Sequence, residues 1–217
     1  MDPTLSAIVE EAQRTYGAHT ILLYGSRADG SHTPESDYDV AAFAAVAEER
    51  QDNSKGDCDG RWDLFIYPES MLQHPTSELL KLRGSRIILD RRALGAPFLS
   101  QLDAIHAEGP GNISREDRSV RQNWALKMLA RIRRNDIEGN YRRVWLLMLL
   151  LEDYFELQNR WYQGPKKSFA WMKEHRPADF TRFDQALRPD ASLNQIEMLV
   201  TCVFGEGDAY VSARSAS

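Results

Sequence analysis

Ile21-Leu22-Leu23-Tyr24-Gly25-Ser26-Arg27-Ala28-Asp29-Gly30, followed by Ser36-Asp37-Tyr38-Asp39-Val40, divides into an apolar run, a glycine-serine break and a second apolar run entered through two acids. Ile21 to Tyr24 reads as a short buried strand. Gly25 lets the backbone turn where a side chain would clash. Ten residues separate Ser26 from Asp37-Tyr38-Asp39, which feed Val40-Ala41-Ala42-Phe43. Residues i and i+2 of a strand share a face, so Asp37 and Asp39 point one way while Tyr38 and Val40 point the other. Two carboxylates side by side repel each other and resist burial. A divalent cation is the simplest partner that keeps both ionised, and Mg²⁺ takes such ligands together with substrate phosphates.

Gly25-Ser26, a ten-residue spacer and Asp37-x-Asp39, each half set against an apolar strand, resemble the signature of the DNA polymerase beta-type nucleotidyltransferase superfamily. Arg27, Gly30, Ser36 and Asp37 also match the form found in its small bacterial members. The resemblance covers roughly residues 18 to 90. It implies that Gly25 and Ser26 bind the triphosphate of a nucleotide and that Asp37 and Asp39 bridge two Mg²⁺ ions. A third metal-binding carboxylate is expected on a neighbouring strand. Asp63, inside Arg61-Trp62-Asp63-Leu64-Phe65-Ile66-Tyr67, matches it and would take the proton of the attacking hydroxyl; as a strand residue Asp is out of place unless it has such a role or faces solvent at an edge. Asp57 and Asp59 are rivals in the preceding loop. The implied reaction is attack of a hydroxyl on the α-phosphorus of a nucleoside triphosphate, with ATP as the expected donor and pyrophosphate leaving. Two metal ions about 4 Å apart clamp the attacking and leaving oxygens in such a transfer. Arg27 reads either as a phosphate neutraliser or as a surface residue, and His32 as a loop histidine close to the nucleotide.

The 217 residues allow one large or two small domains. Lys plus Arg is 27 and Asp plus Glu 32, a net charge of −5 that argues against broad nucleic-acid binding. Two cysteines, Cys58 and Cys202, make no disulfide framework, and neither has a second Cys or His at ligand spacing. Met1-Asp2-Pro3-Thr4 carries no basic or apolar leader, and Val144 to Leu151 is too short to span a bilayer, so a cytoplasmic location away from the membrane is expected.

Periodicity predicts an amphipathic helix at 3–16, strands at 19–24, 37–45, 61–67 and 86–89, and short helices at 26–30, 76–82 and 95–107. Residues 47–60 read as a polar loop. Glu108-Gly109-Pro110-Gly111-Asn112 is the clearest breaker in the chain and marks a boundary. Beyond Ser114 the pattern is helical, with helices expected at 114–135, 138–160, 166–175, 179–188 and 192–204. Val144 to Leu151 is apolar all round, the mark of a central bundle helix. The expected class is therefore α+β: a small mixed sheet with flanking helices at 1–110, an all-α bundle at 111–207 and a tail at 208–217.

This layout is similar to that of the aminoglycoside adenylyltransferases, in which a helical half receives the acceptor and an acid acts as general base. The resemblance implies a small hydroxyl-bearing acceptor, such as an antibiotic. Glu152 or Glu156, which share a helix face, would supply the base; read otherwise, they are ordinary surface acids at a helix end. Trp161-Tyr162-x-Gly164-Pro165-Lys166-Lys167 resembles a turn from which a lysine, here Lys166, reaches the triphosphate; read otherwise, it stops one helix and starts another. The alternative function is a toxin–antitoxin or stress-system enzyme that nucleotidylates a protein or a transfer RNA. The Arg-x4-His signature of the helical partners of minimal antitoxins is absent from residues 114–205.

Overall fold

In the computed structural model of the chain, residues 2–52 and 62–205 are described. The chain divides after Glu108 into two compact units, each with its own core. The first is a mixed sheet flanked by helices and the second an all-helical bundle, so the class is α+β. Asp57, Cys58, Asp59 and the expected tail at 208–217 lie outside the described residues.

The first unit begins with α1 (Pro3–Tyr16), whose first turn is held by the Asp2 carboxylate accepting from the Thr4 and Leu5 amides. Leu5, Ile8, Val9 and Ala12 form its buried stripe. Five strands follow in chain order: β1 (Thr20–Tyr24), β2 (Tyr38–Ala44), β3 (Arg50–Asp52), β4 (Trp62–Pro68) and β5 (Arg86–Asp90). Across the sheet they run β3-β4-β2-β1-β5. β1 is antiparallel to β2 and β5, whereas β2 and β4 are parallel.

Strand alternation sends the two sets of side chains to two cores. Ile21, Leu23, Tyr38, Val40, Trp62 and Leu64 pack against α1. Leu22, Ala41, Phe43 and Tyr67 pack on the other face against the 3₁₀ segment Ser77–Leu82 and a long helix, Gly95–Glu108. Short helices α2 (Ser26–Asp29) and α3 (Ser70–Gln73) complete the unit, and Gly95–Glu108 is α4.

Two features of this unit depart from the expectation. Residues 50–52, read as loop, form β3 beside β4, and Asp52 on it accepts a 2.8 Å hydrogen bond from the Tyr16 hydroxyl. Such an all-polar edge strand has no apolar alternation to reveal it. α3 was also not expected; it is a single turn.

The second unit consists of α5 (Arg115–Ile132), α6 (Ile137–Glu156), α7 (Gly164–His175), α8 (Pro177–Leu187) and α9 (Leu193–Phe204). Ser114 and Asp136 cap α5 and α6, and Ser192 with Gln195 forms a capping box at α9. The expectation that α6 is buried all round is corrected. Leu146, Leu147, Leu150, Leu151 and Tyr154 enter the core, but Val144, Trp145 and Met148 are 58%, 40% and 65% exposed. At 3.6 residues per turn, an unbroken apolar run must place some members outside. Among the described residues no helix is long and apolar enough to cross a membrane.

Candidate active site

Gly25 leaves β1 with φ 69° and ψ −155°. A Cβ there would collide with Asp39 Oδ2 and stand 3.1 Å from its Cγ. The turn is therefore closed tightly over the Asp39 carboxylate, and only glycine permits both the backbone angle and the approach. Ser26 opens α2, whose Ala28 and Asp29 amides return to the Gly25 carbonyl.

The parallel register sets Asp39 of β2 directly beside Asp63 of β4. Their neighbours Tyr38 and Trp62 both enter the core against α1, so the two acids share the opposite face. Both are half-buried. Asp37 lies one residue before β2, and its Oδ1 is buried with no hydrogen-bond partner. Among the described residues no three Asp, Glu, His or Cys side chains are gathered into a metal cage. What the backbone brings together is thus the turn and a carboxylate pair, with Asp37 at the entry to β2.

Residues that sequence reasoning did not single out surround the pair. Tyr24 is the register partner of Asp39. Burial first, and then the charges of Asp39, Tyr67 and Asp63, push its phenol far above the usual range, so it stays protonated beside the acids. Its ring is 6.4 Å from that of Phe65, which is 6.5 Å from Tyr67. The Lys81 ammonium stands 4.7 Å from the Phe65 centroid and 5.7 Å from that of Tyr67. Phe65 and Tyr67 follow Asp63 at two-residue intervals, so strand alternation carried a signal for them. Nothing local marks Lys81, which comes from the 3₁₀ segment.

Arg27 takes a different direction. Its Nε and Nη2 donate to the Ser36 carbonyl at 3.0 and 2.7 Å, and its guanidinium lies 3.8 Å over the ring of Tyr38. Tyr38 is on the α1 face, so Arg27 is drawn to the side opposite Asp39 and Asp63. There it ties α2 to the peptide immediately before Asp37.

Glu152 and Lys166 belong to the helical unit. Lys166 is exposed in the first turn of α7, where Gly164 and Pro165 start the helix instead of only stopping the one before. Glu152 lines a groove of about 430 Å³ with Val120, Arg121, Trp124, Trp145, Leu149, Asp153 and Glu156. Trp124 and Trp145 meet edge to face at 5.3 Å. Arg121 donates to Asp153 and to Glu156, each at 2.7 Å, which leaves Glu152 as the groove acid without an ion pair. Desolvation, followed by the charges of Glu156 and Asp153, raises the pKa of Glu152.

No family model matches the chain, and no curated protein matches it. A solved structure described as a nucleotidyltransferase-like protein from Exiguobacterium sibiricum 255-15 is similar at 14% identity. The match covers 99% of this chain and 79% of that one, with a TM-score of 0.44, too distant to speak to the role of any residue.

Proposed function

We propose that the protein is a Mg²⁺-dependent nucleotidyltransferase that moves a nucleoside monophosphate, AMP from ATP, onto a hydroxyl of a small amine-bearing molecule. The observation that carries this reading is the pairing of Asp39 with Asp63 on one sheet face, beneath a turn that only glycine can make. Two adjacent carboxylates are stable there only if their charge is answered. The donor set is all oxygen and includes the orphaned Asp37 Oδ1, which suits a hard cation. Two or three protein carboxylates are too few for a closed cage. They fit Mg²⁺ well, since it usually keeps substrate phosphate and water among its ligands. When bound, the metal ions supply charge neutralisation at the attacking and leaving oxygens.

The protein's own groups then have separate tasks. Asp37 and Asp39 hold the ions. Asp63, on the next strand, accepts the proton of the incoming hydroxyl. Gly25 and Ser26 let the triphosphate approach the backbone, and positioning of this kind accounts for much of the rate in phosphoryl transfer. Lys81 and the Phe65 ring offer a cation and an apolar surface on the same face.

The groove of the helical unit supports an amine-bearing acceptor. Trp124 and Trp145 give aromatic walls, and Glu152 supplies a carboxylate that is in no ion pair among the described residues. Antibiotics of the aminoglycoside kind have this chemistry. Incubation with α-labelled ATP, Mg²⁺ and a panel of amine-bearing and neutral alcohols tests the assignment. Transfer of label to an amine-bearing alcohol, abolished by EDTA, is the expected result. Label found only on protein or transfer RNA would replace the small-molecule acceptor with the toxin–antitoxin or stress-system alternative. No transfer to any acceptor would remove the activity.

A further inference from the structure

A second cavity, of about 490 Å³, opens in the first unit on the α1 side of the sheet. It is lined by Asp2, Leu5, Leu23, Arg27, His32, Tyr38 and the β5 residues Arg86, Ile87 and Ile88. Small-molecule sites typically span roughly 300–1,000 Å³, so the space is of ligand size. Tyr38 and Leu23 belong to the face that packs on α1, whereas Asp39 and Asp63 belong to the other. The cavity is therefore not the site described above.

Its charge is unbalanced. Arg27 is held by a carbonyl and an aromatic ring, both neutral, and forms no ion pair among the described residues. Arg86 is exposed and forms no side-chain hydrogen bond or ion pair among the described residues. His32 also lines the cavity and offers a ring nitrogen for hydrogen bonding. The one acid, Asp2, accepts from the Thr4 and Leu5 amides, and its charge interacts with that of Arg27, so two arginines face a single carboxylate. Leu5, Leu23 and Ile88 supply an apolar floor. β5 is also an edge of the sheet.

We propose that this cavity is a binding site for a phosphate monoester with an apolar or flat body, its phosphate between Arg27 and Arg86 and its body on the Leu5, Leu23 and Ile88 floor. Paired guanidinium groups suit the geometry of a phosphate dianion. The apolar floor suits an ester in preference to a free inorganic anion. The site needs neither the carboxylate pair nor a metal ion, so it stands or falls separately from the transferase reading.

Isothermal titration of the full chain with AMP in the presence of EDTA tests it, because chelation keeps metal-dependent nucleotide binding silent. AMP is expected to bind, with adenosine and inorganic phosphate each much weaker. Arg86→Gln is expected to weaken AMP by about tenfold or more, the loss of one charge-assisted contact. His32→Ala, in an exposed loop, is expected to weaken it less, and Asp63→Asn to leave it unchanged. An unaltered thermal melt for Arg86→Gln and His32→Ala separates loss of a contact from loss of fold. Wild-type affinity in both of these variants, abolition by Asp63→Asn, adenosine binding as tightly as AMP, or no binding to the wild type would each overturn the proposal.

Discussion

Replacing Gly25 with alanine puts the candidate site to a direct test, because the structure gives this change two separable costs. The first is backbone strain. At φ 69° and ψ −155° the residue occupies a region open in practice to glycine alone, and an alanine there costs about 1–3 kcal/mol. The second is steric. The new methyl collides with Asp39 Oδ2 and stands 3.1 Å from Cγ, so either the turn lifts or the carboxylate swings away from its place beside Asp63. A displacement of about 1 Å in a positioned group is enough to cost roughly 10²-fold in rate. Gly30→Ala isolates the first cost. Gly30 also has positive φ, 83°, but nothing lies within 4 Å of a Cβ there, so it should lose only about 1–2 kcal/mol. Denaturant melts and labelled-ATP transfer, run side by side, give the comparison. Both variants are expected to be destabilised, Gly25→Ala the more because of its collision with Asp39, while only Gly25→Ala loses turnover by about 100-fold. Equal turnover in the two variants would refute the claim that the turn is closed over a working carboxylate.

Asp39→Asn and Asp63→Asn should each abolish transfer without loss of fold, as read by circular dichroism, and each should remove the stabilisation that Mg²⁺ with ATP gives in a thermal melt. Arg121→Met leaves Asp153, which is 8% exposed, without its 2.7 Å partner; losing a charge-assisted hydrogen bond at such a partly exposed pair costs about 1–3 kcal/mol, visible as an earlier denaturant midpoint. Glu152→Gln should raise the acceptor KM by about tenfold and leave the ATP KM unchanged, the signature of one lost charge contact in the groove. The same variant has a pH signature. Because the folded pKa of Glu152 is raised, the native state binds its proton more tightly than the unfolded chain does. This contribution to stability is present below the ordinary glutamate pKa of about 4.3 and is lost as pH rises through the higher folded value. Glu152→Gln should flatten that fall in denaturant titrations; an unchanged slope would show that Glu152 titrates as an exposed acid.

Alternation along β2 was enough to predict that Asp39 faces away from Tyr38, and the structure adds what alternation cannot contain. Which residue of β4 stands beside Asp39 depends on the parallel register, and that register puts Tyr38, Val40, Trp62 and Leu64 together in the core against α1. A slip of one residue would have turned Asp63 into the core and brought out Trp62 or Leu64. Residues 47–60 concealed β3 because its three residues are polar and gain their place from the edge of β4. The direction of Arg27 was beyond reach for a different reason. Its position next to Ser26 suggested phosphate, but a guanidinium follows the nearest acceptor and ring, which here are the Ser36 carbonyl and Tyr38. The same contacts that take Arg27 from the face of Asp39 and Asp63 place its charge on the opposite face. One side chain thus serves two ends: it holds the Gly25-Ser26 turn to the peptide that leads into Asp37, and it lends its charge to the cavity against α1.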